Sequence, residues 1–115
     1  MDDEGCDALT YVEDILESLD AIEEDMESLD KGKFRRRTLE DAIVRRLEVI
    51  GEAVKQTPQE VKAEYPGVPW RRLAGVRDVL IHKYFGVDIE EVWKLVKELQ
   101  RLKPIFAKMA ESLSE

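Results

Sequence analysis

The 115 residues include a single histidine, His82, standing five residues after Arg77. A neutral imidazole takes a proton and an imidazolium returns one near physiological pH. A guanidinium offers a planar fork to phosphoryl oxygens as charge builds on them. In isolation the pair also suits a structural helix whose arginine has found an acceptor. Other chemistries are poorly provided for. A structural zinc site needs about four Cys or His ligands, and the chain has only Cys6 and His82. No glycine-rich phosphate loop follows a strand pattern. Carboxylates are numerous, but none pair off as acid and base, so no metal site and no cofactor are expected.

Both candidate residues fall on a segment running from Trp70 to Tyr84, WRRLAGVRDVLIHKY, read as part of a helix spanning roughly Pro69 to Lys83. Trp70, Leu73, Ala74, Arg77, Ile81 and Tyr84 share one face by the three/four rule. Arg77 interrupts that apolar row and must find an anion or acceptor. Gly75, read as mid-helix, costs roughly 1 kcal/mol against Ala, which points to a close neighbour. His82 lies about 140° around an ideal helix from Arg77, so one regular helix does not aim both at one phosphate. Either the helix ends near His82, ahead of Gly86, or a second copy supplies the missing group.

The remaining elements are helical. A first helix near 8–31 carries Val12, Ile15, Leu19, Ile22, Met26 and Leu29 as a stripe and stops at Asp30-Lys31-Gly32. A second runs from a cap at Thr38 to about Gln56, with Leu39, Ile43, Leu47, Ile50 and Val54 inward. Thr57-Pro58-Gln59-Glu60 reads as a capping box with proline at N1, opening a short helix that Tyr65-Pro66-Gly67 ends. Asp88-Ile89-Glu90-Glu91 caps a last helix of about 26 residues, about 39 Å long. Its stripe is Val92, Leu95, Leu99, Leu102, Phe106, Met109 and Leu113, with Trp93, Val96 and Ile105 beside it. A face that wide suggests more than one neighbour. The expected fold is all-α: one domain over residues 1–115, an antiparallel bundle of four main helices plus a short one.

Charge is segregated. The net charge is −8, yet residues 1–30 hold 13 acids and no Lys or Arg, leaving +5 on residues 31–115. Arg35, Arg36, Arg37, Arg45 and Arg46 concentrate the basic excess and are candidates for binding RNA or a partner. The alternative is that the two surfaces pair within the monomer. No apolar run approaches the roughly 18 residues of a membrane span. An acidic N-terminus and one cysteine fit the cytoplasm.

The stretch from Arg37 to Trp93 resembles the HepT-like branch of the HEPN superfamily. The resemblance is carried by the Arg-x4-His-x-Tyr motif, R-D-V-L-I-H-K-Y, and by its frame. Before the motif stand I-G-E-A-V-K at Ile50 to Lys55 and V-P-W-R-R-L-A-G at Val68 to Gly75. After it come Y-F-G-V-D at Tyr84 to Asp88 and Val92-Trp93. The resemblance implies a homodimeric ribonuclease toxin whose two motifs meet and cleave RNA without a metal, with Arg77 and His82 catalytic. The polar residue after the arginine is often Asn in that branch and is Asp78 here. It further implies a minimal nucleotidyltransferase antitoxin that transfers AMP to the motif tyrosine, Tyr84. RNA chemistry fits these residues, because the 2′-OH is a built-in nucleophile. Trp70 could stack a base, although a core role at a helix start suits it better. The competing readings are a non-catalytic HEPN-type module that binds a nucleotide or partner, and a helical scaffold.

Overall fold

A computed structural model describes residues 4–32, 36–76 and 89–115. Five helices are resolved among them and no strand: α1 (Glu4–Asp30), α2 (Arg36–Gln56), α3 (Gln59–Glu64), α4 (Trp70–Ala74) and α5 (Ile89–Leu113). The architecture is all-α, as the periodicity predicts.

The three long helices are amphipathic, and their apolar stripes meet in one core. Val12, Ile15, Leu19 and Ile22 of α1 face Ile43, Leu47, Ile50 and Val54 of α2, and Val92, Val96, Leu99, Phe106 and Met109 of α5 complete the cluster. At burial of this completeness, truncating one of the leucines to alanine costs about 2–5 kcal/mol. α1 runs antiparallel to α5. The Gln100 amide lies beside the Met26 sulfur, and one turn further on Lys103 reaches back to Glu23 and Asp20.

Helix α1 stops where its sequence says it should. Gly32 takes a φ of +65°, and its N–H bonds the carbonyl of Leu29. That left-handed conformation favours glycine because a Cβ would crowd the following carbonyl.

Three boundaries differ from the sequence reading. Thr38 is not a cap, since α2 begins two residues earlier at Arg36. The Arg36 Nε donates to Glu40 at 3.3 Å, an i,i+4 pair that supports the first turn as helix. The capping box at Thr57 is not formed either. The Thr57 hydroxyl bonds back to the Ala53 carbonyl at 2.8 Å and closes α2, while α3 opens without a side-chain cap. A threonine between two helices can serve either, and here its hydroxyl joins its own N–H on the Ala53 carbonyl of the first. Finally, α4 ends at Ala74 with Gly75 as its C-cap, so Gly75 is not mid-helix. A Cβ there would meet only the Arg71 and Arg72 carbonyl oxygens, each at an ordinary 3.6 Å. No close neighbour among the described residues explains the glycine.

The last helix keeps its stripe across Pro104, which lies inside α5 with its ring exposed. Pro104 lacks the N–H that would bond the Gln100 carbonyl, which costs the helix one bond there. Among the described residues, no helix is long and apolar enough to cross a membrane.

Candidate functional site

Of the predicted site residues, Arg77, Asp78, His82, Tyr84 and Arg35 lie outside the described residues, as do the second half of the expected helix to Lys83 and the expected cap at Asp88. The described residues on either side form the frame of the motif. On its N-terminal side, α4 is held by four different interactions. The Trp70 indole N–H donates to the carbonyls of Lys62 and Tyr65, at 3.1 and 3.0 Å, tying α4 to the end of α3. The same ring stands edge-on to Phe106 of α5. Leu73 and Val76 are buried, and Arg72 pairs with Glu98. Trp70 therefore has the core role favoured by its position, with its polar atom committed to backbone.

Both side chains reach α5, the Trp70 ring to Phe106 and the Arg72 guanidinium to Glu98, so α4 is tied to α5 at two levels. The chain leaves the described frame after Val76 and rejoins it at Ile89, the first residue of α5.

The four described arginines of the predicted binding surface are not brought to one patch. Arg36 and Arg45 stand nine residues apart, about two and a half turns and about 13 Å along α2, and so point to opposite sides. Arg36 pairs with Glu40, and Arg45 with Glu48 at 3.8 Å. Arg37 and Arg46 are exposed. Arg46 lies near enough to Asp25 to favour its charged form, but burial outweighs this and raises the Asp25 carboxyl above its ordinary value, with Glu24 adding to the rise.

Some of the opposite charge is neutralised inside the chain. Lys103 of α5 bonds Asp20 at 2.7 Å and Glu23 at 3.0 Å on the acidic α1. The hydrogen bond that Lys103 donates to Asp20, then that to Glu23, raises its ammonium above its ordinary value against the opposing effect of burial. Lys31 likewise pairs with Glu27 at 2.6 Å. Among the described residues, no three His, Cys, Asp or Glu side chains are grouped to hold a metal ion.

Among the described residues, two concavities between the helices bear on the site. One, between α1 and α2, is lined by Tyr11, Asp14, Arg45, Glu48 and Glu52 among others. The second, of about 390 Å³, lies where the end of α1, the start of α2 and the first turns of α5 meet, and is lined by Met26, Leu29, Asp30, Arg36, Trp93 and Lys97. Sequence reasoning noticed Trp93 only as a flank of the stripe and gave Lys97 no role. Their i,i+4 spacing, aromatic then cationic on one helix face, was the available signal.

Comparison with known proteins fits this frame. Residues 15–109 match the family described as ribonuclease HepT-like. A protein of Thermococcus cleftensis named a probable ribonuclease HepT is 44% identical over 101 residues, covering 86% of this chain and 92% of that one. A Methanocaldococcus jannaschii protein named as a candidate RNase is 40% identical over 111 residues, 95% of this chain and 96% of its own length. Another protein of that organism, named a gamma-glutamylcyclotransferase and candidate RNase, is 40% identical over 111 residues, but the chain spans only 50% of its length. No solved structure matches. The chain belongs to the HepT-like ribonuclease family.

Proposed function

We propose that this chain is the toxin of a HEPN/nucleotidyltransferase toxin–antitoxin pair, a metal-independent endoribonuclease acting through a composite site in a homodimer. The observation that carries the reading is the motif R-D-V-L-I-H-K-Y at Arg77 to Tyr84, lying within the span matched to a ribonuclease family. The chain's one histidine falls inside it.

The chemistry follows from those side chains. The neutral His82 imidazole of one protomer takes the proton of the ribose 2′-OH, and the 2′-oxygen forms a bond to phosphorus. Arg77 faces the phosphoryl oxygens while the negative charge grows. The bond from phosphorus to the 5′-oxygen breaks, and that oxygen takes a proton from the imidazolium of His82 in the second protomer. The products are a 2′,3′-cyclic phosphate and a 5′-hydroxyl. Asp78 supplies a polar acceptor beside Arg77. The basic residues Arg35, Arg36, Arg37, Arg45 and Arg46 contribute attraction for RNA or a partner surface. Tyr84, two residues past His82, is the position at which a cognate nucleotidyltransferase antitoxin adds AMP.

The family span and the framed motif both favour catalysis over a purely binding module. The test is cleavage of a defined RNA in the presence of EDTA, with mass spectrometry of the fragment ends. Fragments ending in cyclic phosphate, with the matching DNA intact, are the expected result. Cleavage abolished by EDTA, or fragments carrying 5′-phosphates, would require another mechanism.

A further inference from the structure

The groove lined by Met26, Leu29, Asp30, Arg36, Trp93 and Lys97 sits at the end of the bundle from which α5 starts. It is therefore at the end where the described chain resumes after the motif, at Ile89. Lys97 is eight residues into α5, about 12 Å along the axis from Ile89. Lys31 follows the end of α1 and Arg37 lies in the first turn of α2, at the same end of the bundle.

The composition of the groove is specific. Met26, Leu29 and the half-buried ring of Trp93 give an apolar floor. Arg36 and Lys97, both exposed, stand on the rim, and Asp30 is the one carboxylate among the six. Arg36 spends its Nε on Glu40. Two cations beside an aromatic face suit a nucleotide, whose base stacks while its phosphate is neutralised, and stacking of this kind accepts any base. We infer that this groove is a subsite for one nucleotide of single-stranded RNA, with the base against Trp93 and its phosphate between Arg36 and Lys97. The inference rests on the ribonuclease reading for the identity of the polymer, but binding in the groove does not depend on the chemical step.

The test therefore uses a hexaribonucleotide methylated at every 2′-oxygen, which lacks the attacking hydroxyl, and measures its binding to the full chain by fluorescence anisotropy. Trp93→Leu and Lys97→Gln should each weaken binding about tenfold, as expected for loss of one stacked base or one phosphate contact. Trp93→Phe, which keeps a stacking face, should stay within about threefold of the wild type. Lys97→Gln should also flatten the plot of log affinity against log salt by about 0.7. Lys108→Gln, exposed on α5 about 16 Å further along, should bind as the wild type does. Equal binding by Trp93→Leu, Lys97→Gln and wild type would overturn the subsite. So would a fall in molecular mass to the monomer in those variants, which would make the groove an interface between copies. Cleavage failing while these binding differences hold would sink the catalytic reading and leave the groove standing.

Discussion

The Trp70 ring meets Phe106 edge to face, with centroids 5.9 Å apart and planes at 81°. This contact joins α4, seven residues before Arg77, to the middle of the longest apolar stripe in the fold. Because Trp70 also donates to two carbonyls of the preceding turn, one side chain fixes where the motif segment starts. Trp70→Phe keeps the ring contact and gives up the two hydrogen bonds, so it should lower stability by about 1 kcal/mol. Phe106→Ala empties a fully buried position and should cost about 3–5 kcal/mol. Urea unfolding checks both. An equal loss in the two variants would mean that the indole N–H, not the ring packing, dominates the anchor.

Two ionisable groups shifted in the same direction should give opposite mutational outcomes at neutral pH. Lys103 is raised chiefly by its bonds to Asp20 and Glu23. A raised folded value means that the stabilisation is complete below the ordinary 10.5 and is lost as pH climbs through the folded value. Lys103→Met should therefore lower the unfolding midpoint at pH about 7 by an amount worth at most about 1 kcal/mol, with the gap closing as pH climbs above 10.5. Asp25 is raised mainly by burial, so its charged form is disfavoured in the folded state and stability falls as pH rises past 3.8. Asp25→Asn should raise the midpoint at neutral pH, and the gain should vanish in acid. A loss of stability on that substitution would show that the attraction of Arg46 outweighs burial.

Much of the fold was legible because periodicity reports burial directly. Val12, Ile15, Leu19 and Ile22, then Ile43, Leu47, Ile50 and Val54, were placed inward from spacing alone and are buried. Thr57 was misread because its hydroxyl can bond the backbone of the helix before it or of the helix after it, and local sequence does not say which. For the candidate site, R-D-V-L-I-H-K-Y marked the chemistry without geometry. The groove at Trp93 and Lys97 was hidden because three separate helices supply its walls, and only packing brings Met26, Arg36 and Trp93 together.

Tyr84 carries the regulatory expectation. AMP on its hydroxyl would add a bulky phosphodiester near Arg77 and compete with substrate for the guanidinium. Tyr84→Phe should keep the helical content and much of the cleavage activity, yet escape silencing on co-expression with the nucleotidyltransferase. Intact-mass spectrometry should show additions of AMP that map to the Tyr84 peptide and disappear in the Phe variant. Silencing without any mass change would mean that the partner acts by masking alone.

The account stands most directly on His82 and Arg77. RNA cleavage rates should be measured for wild type, His82→Ala and Arg77→Ala, in each case alongside circular dichroism and light scattering. General acid–base catalysis is worth about 10²–10⁴-fold, so each substitution should slow cleavage at least about a hundredfold while helicity and the dimer mass hold. Cleavage at the wild-type rate by both variants, with their fold and mass unchanged, would contradict the composite Arg77–His82 site.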